Sequence, residues 1–153
     1  MDRRHFIHLS GGGMLIALAG CGGKGDWPEG MQEIKWDRDT CARCSMVIYD
    51  RRFAAEMRGG PKETVFKFDD IGCAVFWLRE KAASYPWMAE TSTRLWVADA
   101  NSRGKDVRWL DAYKAQYFGK VSPMGYNFGA VALPQPGSTD FPDMRSHVLV
   151  KGK

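Results

Sequence analysis

Apolar and polar positions follow two rhythms along this chain. Met46, Ile48, Phe53, Ala55 and Met57 fall on alternating positions either side of the polar run Asp50-Arg51-Arg52, which predicts a β-hairpin over 45–57. Gly59-Gly60-Pro61 breaks the chain, and Thr64 to Phe68 reads as a further strand. After Asp69-Asp70 the period lengthens. Ile71, Val75 and Leu78, with Ala74, Phe76 and Trp77 alongside, predict a helix from Ile71 to Ala83 with Asp70 as its N-cap.

The second half repeats this order. Leu95 to Ala98 and Val107 to Leu110 read as strands, Asp111 as the cap of a helix running through Phe118 to Gly119, and Phe128 to Leu133 as a late strand. Laid over one another, Phe66–Trp77 and Val107–Phe118 align the strand aromatics, the two aspartates, Ala74 with Ala115, and Phe76 with Tyr117. The pattern therefore predicts an α+β fold of two related β-β-α-β units, at about 39–90 and 91–133. Pro134-Gln135-Pro136-Gly137-Ser138 opens a tail over 134–153, in which only Val148 to Val150 suit pairing with a sheet.

Upstream of the fold, residues 1–20 read as an export signal. Arg3-Arg4 precedes Phe6-Ile7 in the manner of a twin-arginine signal, and Gly11 to Gly20 is too short and glycine-rich for a membrane span. Leu18-Ala19-Gly20-Cys21 has the form of a lipobox, in which Cys21 becomes the lipidated first residue. An ordinary signal cut near Ala19 is the plainer alternative; the small residues around Cys21 and the tether over 22–30 favour lipidation. The expected address is the periplasm, with a lipid anchor in a membrane.

A net charge of +4, without a dense Lys/Arg cluster, speaks against nucleic acid as a partner. Of the four cysteines, three remain beside Cys21. An odd number in an oxidising compartment leaves at least one free, buried or bound to metal.

Candidate chemistry concentrates in Asp39-Thr40-Cys41-Ala42-Arg43-Cys44-Ser45-Met46 and in Ser122-Pro123-Met124-Gly125. Thiols and thioethers together suit a soft ion such as Cu(I), and Asp39 is the one carboxylate at the edge of the first run. On an extended strand Cys44 and Met46 share a face, whereas Cys41 joins them only if the chain turns through Ala42-Arg43. Met46 and Met124 also suit core packing, Cys41 and Cys44 also suit a disulfide, and Cys73 reads as a small buried hydrophobe. His5 and His8 leave with the expected signal, and beyond it neither a second Cys-x-x-Cys nor a His pair is present to complete a zinc site. His147 with Met144 is a weaker metal pair, since an isolated tail histidine is more often solvated. With no Ser/His/Asp set, phosphate loop or Cys/His dyad, nothing in the residues argues for an enzyme.

The lipobox, Cys41-x-x-Cys44-x-Met46, Phe68-Asp69-Asp70-x-Gly72, Trp96-Val97-x-Asp99, Trp109-x-Asp111-Ala112 and Ser122-Pro123-Met124-Gly125 occur in the order that resembles the NosL family, over residues 18–133. The resemblance implies a periplasmic lipoprotein that binds Cu(I). It further implies delivery to nitrous oxide reductase, or to its maturation and transport complex, for the copper–sulfide centre. It places Cys44, Met46 and Met124 in the metal site, with Cys41 as a conditional member. Two departures stand out: Ser45 replaces a usual glycine, and Tyr126 stands where some members carry histidine. Two rival readings are a periplasmic thiol–disulfide protein using Cys41 and Cys44, and a lipoprotein on the same scaffold that works by protein contacts alone.

Overall fold

Ala55–Gly59 (β1) and Thr64–Phe68 (β2) pair antiparallel, with Ala55 opposite Phe68 and Gly59 opposite Thr64. The turn between them uses Gly60 at φ +76°, a conformation that costs glycine little. This computed structural model describes residues 26–152. The expected signal and the Cys21 lipidation site lie outside them.

Asp70 stops β2 and starts the helix Ile71–Glu80 (α1) by accepting the Gly72 N–H on its side chain. The chain then passes a short 3-10 turn at Pro86–Ala89 into Arg94–Ala98 (β3), which returns antiparallel to β1 on the side away from β2. Trp109–Asp111 (β4) completes a four-stranded sheet of order β2-β1-β3-β4. Gln116–Gly119 (β5) and Phe128–Val131 (β6) make a second, two-stranded antiparallel sheet. The Ala100 N–H donating to the Ala130 carbonyl at 2.8 Å ties it to the end of β3.

Strand alternation sorts the β1 side chains onto two faces. Ala55 and Met57 join Phe68, Leu95 and Val97 in a core capped by Ile71, Ala74, Val75 and Phe76 of α1. A smaller cluster gathers Ile34, Ile48 and Ala54 with Trp27, Trp36 and Trp109 around them. The indoles of Trp27 and Trp109 are 5.4 Å apart, and those of Trp36 and Trp109 are 6.4 Å apart.

The α+β class is as expected, and residues 39–90 run β1, β2, α1; the strand that follows the helix, β3, falls at Arg94–Ala98, in the expected second unit. The second unit departs from expectation. Asp111 begins a turn instead of a helix, and residues 116–119 are strand β5. Tyr117 decides this: its ring is fully buried, its hydroxyl donates to the Ala112 carbonyl at 2.7 Å, and its backbone exchanges hydrogen bonds with Thr139. A helix there would forfeit the β6 ladder.

The C-terminal segment also departs. Phe141–Lys151 is a helix (α2), capped by Asp140, whose side chain accepts the Asp143 N–H. It buries Phe141, Met144 and Val148 in the main core, at the i, i+3, i+7 spacing of one helix face. Met144 is thereby committed to packing, so no Met144–His147 metal pair forms; His147 stacks on Phe128 at 6.3 Å. Among the described residues no helix is long and apolar enough to cross a membrane.

Candidate metal centre

The Cys-x-x-Cys run does not lie on a strand. Thr40 and Val47 bridge antiparallel, and the chain between them turns back on itself. The Cys41 N–H donates to the Met46 carbonyl at 2.8 Å, and the Ser45 N–H to the Cys41 carbonyl at 3.0 Å. The expected strand from Met46 to Ile48 is therefore reduced to this one bridge. Ser45 sits at φ +63°, in the left-handed region. The Ala42 N–H donates to the Lys67 carbonyl at 2.8 Å, which fastens the turn to the end of β2. Asp39 is occupied elsewhere, in a 2.7 Å ion pair with Lys67.

The turn brings Cys41 and Cys44 together and lays them against the β2–α1 junction. The sulfurs of Cys41, Cys44 and Cys73 and a carboxylate oxygen of Asp69 all lie within 4.8 Å of one another. The Cys44 thiol donates to Asp69 Oδ1 at 3.4 Å. An ion held about 2.3 Å from each sulfur needs ligand atoms roughly 4 Å apart, so small side-chain movements suffice to close on one. Cys41, Asp69 and Cys73 are buried and Cys44 half-buried, all three thiols being free.

Three thiols and a carboxyl packed this closely cannot all ionise. The Cys73 thiol hydrogen-bonds Cys41 and brings the Cys41 thiol down to about 5; the N–H groups of Cys44, Asp69 and Arg43 add to this against the effect of burial. Burial pushes Cys44 up to about 12. Cys73 is driven upward by its hydrogen bond with Cys41, by burial and by the Cys41 charge. Burial and the same charge raise Asp69 to about 6. Cys44 and Cys73 thus keep their protons in the metal-free cluster, and a bound cation is what would draw them off.

Beside the cluster, Asp70 joins two loops. Its Oδ2 accepts the Ser122 hydroxyl at 2.6 Å and the Met124 N–H at 3.2 Å, while Oδ1 caps α1. Met124 is thereby fixed at the backbone and packs, partly buried, against the core that contains Cys41 and Cys73. Met46 is 55% exposed. The structure thus groups Cys41 and Cys44, sets Met124 on the adjoining loop, and turns Met46 outward.

Cys73 and Asp69 are the functional candidates that sequence reasoning missed. Cys73 is as buried as expected, yet its thiol faces two others. Asp69 is the carboxylate left over once Asp70 takes the cap, and a spare acid at a helix start was the available signal. The case against zinc also changes, because folding supplies a four-donor set that no second Cys-x-x-Cys announces.

Tyr126 covers this junction. A Cβ on Gly72 would lie 2.1 Å from the Tyr126 ring, so only glycine admits the ring at that distance. The phenol oxygen accepts from Arg43 Nη1 at 2.8 Å.

Fold and cluster together define a small α+β protein with a largely buried, thiol-rich cluster that could hold a metal ion. No family model and no curated protein matches the chain. Among solved structures it is similar to the copper chaperone NosL from Shewanella denitrificans, at 16% identity over 80% of this chain and 89% of that one, with a TM-score of 0.47.

Proposed function

We propose that this chain is a metallochaperone that carries Cu(I) in the Cys41–Cys44–Cys73–Asp69 cluster and passes it to an acceptor protein. The observation that carries the reading is the convergence of three thiols and one carboxylate within 4.8 Å. Thiolates are the ligands a soft monovalent ion prefers. Cys44, the half-buried thiol, is the natural point of entry and exit, and Met124 on the adjoining loop and the exposed Met46 offer weaker thioether contacts for the hand-over. The ordered motifs that resemble the NosL family support nitrous oxide reductase, or its maturation complex, as the acceptor. Lipidation at Cys21 would hold the carrier near such a complex at the periplasmic membrane face and raise its effective concentration there.

Anaerobic titration of the reduced protein with Cu(I), in competition with a chelator, tests this. One Cu(I) per chain is expected, with affinity lost in Cys44→Ser and weakened in Met124→Leu. Unchanged affinity in both variants would reject the site.

One observation favours a second reading, thiol–disulfide exchange: the Cys41 thiol, brought down to about 5 by its Cys73 hydrogen bond, lies beside two thiols it could pair with. A Cys41–Cys44 disulfide that cycles at a physiological potential in a protein without Cu(I) affinity would establish it.

A further inference from the structure

Arg43 lies between the two cysteines of the turn, and its side chain reaches across to α1 and to Tyr126. Nε donates to Glu80 Oε2 at 3.0 Å and Nη2 to Glu80 Oε1 at 2.9 Å, a two-pronged grip on the last turn of α1. Nη1 donates to the Tyr126 hydroxyl at 2.8 Å, and the guanidinium lies over the Phe76 ring at 4.4 Å. Phe76 and Tyr126 are in contact with centroids 5.6 Å apart, and Tyr126 rests on Gly72. One side chain thus straps together the cysteine turn, both ends of α1, and the loop that carries Met124.

We propose that Arg43, Glu80 and Tyr126 form a latch that sets how readily the cluster opens, and so how fast a metal ion enters and leaves. This rests on the metal-carrier reading above. Cys41 and Cys73 are 2% and 0% exposed, so an ion or acceptor thiol reaches them only when the 41–46 turn lifts from α1. The strap resists that lift with a two-pronged ion pair and a phenol hydrogen bond, beside the turn's other ties to the body of the fold: the Ala42 N–H to Lys67, the Cys44 thiol to Asp69, and the Cys41 sulfur to Cys73 and to the Asp69 N–H. The Glu80 side chain is 39% exposed, which keeps the ion pair open to competition from a docking partner's charges. Tyr126 and Glu80 act as positioning residues, since the phenol oxygen and the carboxylate are engaged by Arg43. Arg43→Lys keeps the charge beside the thiols and loses the fork that grips Glu80.

The latch is tested by the time course of iodoacetamide alkylation of the full chain, reduced and metal-free, with each cysteine followed by mass spectrometry. In the wild type all three are expected to react slowly, Cys41 and Cys73 because they are buried and Cys44 because burial keeps its thiol protonated. Tyr126→Phe, Glu80→Gln and Arg43→Lys should speed Cys41 and Cys73 roughly five- to tenfold, the effect of taking one charge-assisted hydrogen bond out of a local opening equilibrium. Cys44 should change less, and the melting temperature should fall by only the few degrees that the same loss implies. Release of Cu(I) to excess chelator should quicken by a similar factor. Wild-type rates at Cys41 and Cys73 in Tyr126→Phe and Glu80→Gln would overturn the latch, as would equal acceleration of all three thiols with a melting temperature lowered beyond those few degrees. Selective acceleration in a chain that binds no Cu(I) would keep the latch and remove the copper reading.

Discussion

Asp70 and Asp111 begin from the same local chemistry and end in different structures. Each accepts the N–H two residues on, Gly72 at 2.9 Å and Tyr113 at 3.0 Å. After Asp70 the next six residues are buried and the chain continues as α1. After Asp111 the Ala112 N–H returns to the sheet by donating to the Leu95 carbonyl, Tyr113 and Lys114 face outward, and Tyr117 drops into the core as part of β5. A capping aspartate permits a helix; buried partners along the following turns decide it. The difference bears on function. Only the first aspartate is followed by a cysteine three residues on, and only its second oxygen holds the Met124 loop.

Removing each aspartate is the strongest way to test that contrast. Asp70→Ala takes away a buried cap and both loop contacts, and should cost about 2–4 kcal/mol in denaturant unfolding. Asp111→Ala removes a cap on an exposed turn and should cost about 0.5–1 kcal/mol. Equal losses would mean that the cap alone, and not the loop junction, distinguishes the two sites.

Buried carboxyls differ among themselves as well. Asp70 is supplied with donors on both oxygens, whereas among the described residues Glu56 of β1 receives the Gln32 N–H, at 2.6 Å on Oε1, and its Oε2 finds no partner. Burial raises Glu56 from 4.5 to about 7. A carboxyl raised by folding favours the native state while protonated. Stability should therefore be fullest below about pH 4.5, fall by about 2–3 kcal/mol as pH rises through 7, and level off above it. Glu56→Gln should flatten that part of the profile, as urea midpoints across pH 4–8 would register. A slope that persists in the variant assigns the pH dependence to another group.

At Gly72 the expected loss is about 1–3 kcal/mol for Gly72→Ala, because a methyl group meets the Tyr126 ring. The smallest effect belongs to Ser45. At φ +63° serine bears a left-handed backbone that glycine tolerates, so Ser45→Gly should stabilise by about 0.5 kcal/mol and leave Cu(I) affinity unchanged.

Much of the first unit was legible in the sequence, because local and tertiary signals agree there: alternation in Ala55–Gly59 and Thr64–Phe68, a cap at Asp70, and a helical period behind it. In the second unit they disagree. The Asp111 cap pointed to a helix, while the aromatic pair Tyr117-Phe118 and the closing Gly119 suited a strand that pays off only against β6. Helix α2 carries its apolar stripe at Phe141, Met144 and Val148, but Pro142 and intervening charge obscure it. In the site, adjacency revealed Cys41 and Cys44. Cys73 is 29 positions beyond Cys44 in sequence and reaches it only through the β1–β2 hairpin, so burial seemed to explain it completely.

The central claim is that the third thiol belongs to the site. Anaerobic Cu(I) competition on Cys73→Ser beside Met46→Leu tests it most directly. The cluster predicts a loss of roughly 100-fold or more for Cys73→Ser, with Met46→Leu close to wild type. Wild-type affinity in Cys73→Ser, with affinity lost in Met46→Leu, would contradict it and return the ion to the exposed thiol–thioether pair.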